Sequence, residues 1–147
     1  MTDQLVLSAG RERDSDRLAA VEACREVIHR SFALADAGRR AEIADLFVAG
    51  GVQSIDGETA RGQEEIRALF AARDKAGRRT AHAVTTMTVD VSSESEIRVR
   101  SVVLLYLLSD ADPTTPNVLT SVDDLLVKDG EVWRLSNRVT SVLSRRG

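Results

Sequence analysis

From residue 80 onward the chain reads as strands alone, in four long segments over 80–91, 96–108, 118–128 and 131–143. Turn chemistry separates them: Ser92, Ser93, Glu94 and Ser95 first, then a loop over 110–117 that holds both prolines, then Asp129-Gly130. Turn and hairpin connections of this kind join antiparallel neighbours. The second strand is apolar at both parities through Val102, Val103, Leu104, Leu105, Tyr106, Leu107 and Leu108. Both faces of that strand are therefore expected to be buried, and the protein's own helices can cover only one. A homodimer through the sheet face is the economical cover for the other. The alternative is that this face lies under the 110–117 loop.

The part before residue 80 has a different period. Ser15 or Asp16 can cap a helix that begins at Arg17, and Leu18, Val21, Cys24, Ile28, Phe32 and Ala35 then recur at spacings of three and four until Gly38. A second, shorter helix is expected over 39–48, closed by Gly50-Gly51. Val52 to Ile55 then turns back through Asp56-Gly57 as a hairpin. A third helix follows over 63–73, with Glu64 and Glu65 in the first turn, where the helix dipole favours them. The expected architecture is α+β: three N-terminal helices packed on one face of a curved, mainly antiparallel sheet. Residues 1–14 read as a flexible leader, and residues 15–147 as one domain.

The totals narrow the function classes. A net charge of −3 leaves no field to recruit nucleic acid or anionic lipid, and no stretch has the length of a membrane span. One cysteine cannot form an intramolecular disulfide, and the N-terminus lacks a signal peptide's apolar core, so a cytoplasmic protein is expected. Two histidines and one cysteine offer no metal-ligand spacing, and no glycine-rich phosphate loop follows a strand; no metal or cofactor is expected. Aromatic residues make up only 3% of the chain, so the apolar inventory is aliphatic and suits a roomy, greasy cavity.

Five local signatures then fall in a telling order: Phe32-Ala-Leu-Ala-Asp36, Asp45-Leu-Phe47, Gly62-Gln-Glu-Glu-Ile66, Arg79-Thr-Ala-His82, and Gly130-Glu-Val-Trp-Arg-Leu135 followed by Arg138. Together they resemble the nuclear transport factor 2-like superfamily of cone-shaped α+β barrels, and within it the SnoaL-like group. The resemblance implies a cone whose interior takes a small molecule. Its members include dehydratases, isomerases, epoxide hydrolases and polyketide cyclases, along with non-catalytic domains and oxygenase β subunits, so the fold does not choose the chemistry.

Asp36 and His82 are the candidate catalytic pair. The resemblance, through members similar to scytalone dehydratase, puts Asp36 at the closed end of the long helix and His82 at the start of a strand that lines the cone. Independently, Asp36 lies 18 residues after Leu18 and so on the same side of the helix. A carboxylate turned towards the packed face needs a partner. Such a pair performs general acid–base chemistry, the carboxylate fixing the imidazole tautomer. Candidate substrate-binding residues are Phe32 from the helix-end motif, Tyr106, the same-face pair Ser121 and Asp123, and Asn137, which strand parity groups with Trp133 and Leu135. Either Asp123 or Asp124 must point inward, as a second acid–base group or as the partner of Arg98, Arg100 or Arg138. Arg98 or Arg100 with Asp123 also imitates the carboxylate–arginine set of proteins similar to limonene-epoxide hydrolase. His29, flanked by Arg25, Glu26 and Arg30, reads as a surface residue.

The favoured reading is a cofactor-free enzyme performing cyclisation, isomerisation or dehydration on a hydrophobic small molecule. The rival is a non-catalytic ligand-binding protein or an oxygenase β-type structural subunit.

Overall fold

The computed structural model describes residues 2–147, with side chains from residue 4 onward. Helix α1 runs from Thr2 to Asp36, and a 3-10 turn spans Arg40–Leu46. Strands β1 (Phe47–Ile55) and β2 (Glu58–Arg61) form a hairpin, α2 covers Gly62–Lys75, and the remaining strands are β3 (Thr80–Ser93), β4 (Glu96–Leu107), β5 (Val118–Asp129) and β6 (Val132–Arg145). The six strands form one sheet in the order β2-β1-β6-β5-β4-β3. Every neighbouring pair is antiparallel except β1 with β6, which is parallel. The result is the expected α+β arrangement of helices laid on one face of a curved, mainly antiparallel sheet.

Three local expectations are corrected. The first helix starts at Thr2, not Arg17, so the segment expected to be a leader is already helical over residues 2–14; residue 1 lies outside the described residues. No proline interrupts this stretch, and Gly10 in the interior costs only about 1 kcal/mol, so Ser15 and Asp16 sit inside the helix instead of capping it. The second element is a seven-residue 3-10 turn, because Phe47 and Val48 have already entered β1. Gly50-Gly51 consequently lies within a strand, at a register break between Phe47 and Val52 on β1. A Cβ at Gly51 would stand 2.8 Å from Cδ1 of Phe47, so this bulge accepts only glycine without a shift. The third helix, the long strands and both short hairpin turns lie where the sequence puts them. Asp56 and Gly57 both take positive φ, 51° and 77°, as a tight two-residue hairpin demands.

The core lies between the helices and the inner sheet face. Cys24, Ile28, Ser31 and Ala35 are spaced by four, three and four, and this stripe is the buried side of α1. It meets Phe47, Ile66, Ile97, Leu126 and Leu135, all fully buried, and Trp133 belongs to the same cluster. Each such aliphatic or phenyl side chain contributes roughly 1.5–3 kcal/mol by leaving water. No helix among the described residues is long and apolar enough to cross a membrane.

Register decides which side chains reach the interior. On β4 the odd residues Ile97, Val99, Ser101 and Val103 are buried, and on β5 the even residues Val118, Val122, Asp124 and Leu126. On β6 the inward parity changes: Trp133 and Leu135 point inward, a bulge at Ser136 follows, and Arg138 is then the buried residue.

Candidate active site

Asp36 is the last residue of α1, and His82 is the third residue of β3. The Nδ1 atom of His82 lies 2.6 Å from Oδ1 of Asp36, and the backbone N–H of His82 donates to the other carboxylate oxygen at 3.0 Å. The Thr80 hydroxyl donates to Oδ1 of Asp36 at 3.0 Å. The same hydroxyl accepts from the Arg40 guanidinium at 2.9 Å. Arg40 also donates to the carbonyl of Arg78 and meets Asp74 at 3.4 Å, and the carboxylate of Asp74 accepts the backbone N–H groups of Arg40 and Ala41. A continuous line thus runs Asp74–Arg40–Thr80–Asp36–His82, from the end of α2 to the imidazole. Burial works to raise the Asp36 pKa, but the hydrogen bonds and charge of His82, with the Thr80 hydroxyl, outweigh it and hold the carboxyl below its ordinary range.

His82 stands in the wall of a cavity of about 320 Å³ formed by α1, the 3-10 turn, α2 and the inner face of the sheet. Phe32, Ala35, Ile43, Phe70, Leu105, Leu107, Val118 and Val122 make most of its wall apolar. Phe32 stacks at a tilt on His82, with ring centroids 5.2 Å apart, and the Arg138 guanidinium lies 5.1 Å from the other partner of that stack, the Phe32 ring. Arg138 is itself held in a buried fork: Nε and Nη2 donate to Asp124 at 2.6 and 2.9 Å, and Nη1 to Ser31 at 2.8 Å. Larger surface grooves of about 680 and 820 Å³ flank the N-terminal part of α1 and contain neither Asp36 nor His82.

Of the residues singled out in the sequence, the structure brings together Asp36, His82 and Phe32. Tyr106, Ser121, Asp123 and Asn137 do not line the cavity; their register places them on the outer face of the sheet. On β4 and β5 the reason is parity, because the inward residues are the odd set on β4 and the even set on β5. On β6 it is the bulge at Ser136, which turns Asn137 out and Arg138 in. Asp124 is the inward member of its pair, 3% exposed, and it takes Arg138 as an ion-pair partner. Asp123 pairs with Arg100 at 2.7 Å, but on the exposed outer face, so that carboxylate–arginine set does not reach the cavity. His29 is exposed, as expected.

Sequence reasoning missed Arg40, Thr80 and Gln53. Arg40 belongs to an Arg39-Arg40 doublet that reads as solvated, yet it is 8% exposed and joins the hydrogen-bond line. Thr80 and Gln53 sit at the inward parity of their strands and line the cavity; only the Arg-x-x-His motif around Thr80 could have drawn attention to it.

A SnoaL-like domain family model matches residues 16–139. Among solved structures, a putative scytalone dehydratase from Novosphingobium aromaticivorans is 21% identical over 90% of each chain, with a TM-score of 0.78. LinA is 19% identical over 89% of this chain and 90% of its own, also with a TM-score of 0.78. A protein from Catenulispora acidiphila in complex with S-DNPA is 22% identical over 85% and 94% of the two chains, with a TM-score of 0.70. No curated protein sequence matches significantly. These structures share the fold of helices laid on a curved sheet, and the family model spans most of the chain: the chain belongs to the SnoaL-like domain family.

Proposed function

We propose that the protein is a small-molecule enzyme in which Asp36 and His82 form a general acid–base pair serving an apolar substrate. The observation that carries this reading is the 2.6 Å contact between His82 Nδ1 and Asp36 Oδ1, in the wall of a mainly apolar cavity. With Nδ1–H donating to the carboxylate, the lone pair of the neutral imidazole rests on Nε2, which has no protein partner among the described residues. That nitrogen takes a proton from an acidic C–H beside a carbonyl, and Asp36 stabilises the resulting imidazolium. Returning the proton to another carbon completes an isomerisation. Delivering it to a departing β-hydroxyl completes a dehydration; for a cyclisation the carbanion attacks an internal carbonyl, and the alkoxide so formed takes the proton back from Nε2. None of these routes needs a covalent intermediate. Membership of the SnoaL-like family and likeness to a putative scytalone dehydratase support chemistry of this type. The same reading has the protein act as a cytoplasmic homodimer joined through the outer sheet face, where Val102, Leu104 and Tyr106 are half-buried within the single chain.

The test is deuterium uptake from D2O into enolisable bicyclic ketones such as 1-tetralone, followed by NMR. The wild-type protein is expected to accelerate uptake, and His82→Ala and Asp36→Asn, each checked to be folded by circular dichroism at the assay temperature, to lower that rate by roughly 10²–10⁴-fold. Equal rates in the wild type and both variants would sink the enzyme reading and favour a binding or structural role.

A further inference from the structure

We infer that the substrate of this cavity carries a carboxylate, held by Arg73 and Arg145 on the side opposite His82. The inference rests on the cavity being the substrate site, as proposed above, and it adds the substrate's chemical class.

Two of the arginines on the cavity wall are already matched by buried or half-buried carboxylates, Arg138 by Asp124 and Arg40 by Asp74. Arg73 and Arg145 are not matched in this way. They share the single carboxylate of Asp56 on the β1–β2 turn, at 3.7 and 3.4 Å, distances too long for strong charge-assisted hydrogen bonds. The Nε of Arg73 is buried and has no acceptor among the described residues. Two guanidiniums around one carboxylate leave a surplus positive charge and several unused N–H donors, and all three side chains line the cavity. The side chains of Arg145 and Arg73 are 54% and 35% exposed, so this charge stands at the mouth of the cavity, open to an incoming anion, and the guanidinium fork matches a carboxylate.

The sheet register fixes where this charge lies relative to the base. His82 pairs with Leu105, Leu105 with Val118, and Val118 with Arg145. His82 and Arg145 are thus the two ends of one row across four strands, about 14 Å apart at the backbone from three inter-strand steps of about 4.8 Å each. Leu105 and Val118 form the apolar floor between them, and all four side chains line the cavity. A flat apolar body the length of two fused rings spans this row once the two long end side chains are allowed for, with its carboxylate at Arg145 and Arg73 and its reacting carbon at His82.

Isothermal titration with 2-naphthoate and its neutral isostere 2-naphthamide tests the inference. Naphthoate is expected to bind about tenfold or more tightly than naphthamide, in line with one charge-assisted hydrogen-bonded contact, and to weaken with added salt. In the Arg73→Gln/Arg145→Gln double variant the preference is expected to vanish while naphthamide affinity stays within about twofold. Equal affinities in the wild type, or a preference that survives in the double variant, would overturn the carboxylate inference alone. Val142→Trp, at a 41% exposed position on the cavity wall, is expected to block both ligands. If neither ligand binds the wild type, or both bind this folded variant undiminished, the cavity is not the site, and the proposed function falls together with the inference.

Discussion

Thr80 holds two charged groups at once, accepting from Arg40 and donating to Asp36. Replacing it with valine keeps the shape but removes both hydrogen bonds. Because the Thr80 hydroxyl is one of the groups that lower the Asp36 pKa, Thr80→Val is expected to raise the midpoint of the Asp36 carboxyl titration, read by carbon NMR, and Thr80→Ser to restore it. The same depression has a stability consequence. A carboxyl whose folded pKa lies below its ordinary 3.8 stabilises the fold fully above that value, and the contribution is lost as pH falls through the lower folded pKa. Asp36→Asn is therefore expected to flatten the loss of stability on acidification below pH 4, measured by denaturant unfolding across pH. Arg138 behaves differently because its partner Asp124 is fully enclosed. Arg138→Leu leaves that carboxylate unpaired, and a loss of about 3–5 kcal/mol is expected, partly recovered in the Arg138→Leu/Asp124→Leu double variant. At this scale the helix-end carboxylate and the Arg-x-x-His motif point to the dyad, but the helical phase counted from Leu18 does not, because Leu18 is 71% exposed and no core residue. The sequence conceals Arg40, whose burial depends on Asp74, thirty-four residues away.

Among the elements, the strands and turns were the most legible part, because alternation and Asp-Gly dipeptides act over a few residues. What local pattern could not supply was the facing of each strand. Strand β4 is apolar at both parities around Tyr106, so its sequence does not say which side is inside. On β6 a single extra residue at Ser136 exchanges the two sides, and an alternation counted from Trp133 then assigns Asn137 to the wrong one. The extent of α1 was missed for the opposite reason: a good local cap at Ser15 or Asp16 does not stop a helix when the preceding residues also favour helix. Residues 4–19 of α1 are exposed apart from the half-buried Gly10, so this arm contributes little to the core. Removing residues 1–12 is expected to leave the melting temperature within about 2 °C of the intact chain, since surface changes away from packed features shift stability only slightly. A larger drop, measured by calorimetry, would mean that the arm is packed in solution.

For the whole molecule, the cone leaves its outer sheet face open, with Val102, Leu104 and Tyr106 beside the Arg100–Asp123 ion pair. If that face joins two copies, Leu104→Glu places a charge in the interface, and analytical ultracentrifugation is expected to show a dimeric wild type and a monomeric, folded variant. The inner face holds the cavity, and the proposed pair requires Asp36 to fix His82 with its proton on Nδ1 and a free lone pair on Nε2. Nitrogen-15 NMR of the imidazole, at a pH where it is neutral, reads this arrangement directly. The expected result is a protonated Nδ1 and an unprotonated Nε2 in the wild type, with that preference lost in Asp36→Asn. A wild-type His82 carrying its proton on Nε2 would rule out the proposed acid–base pair.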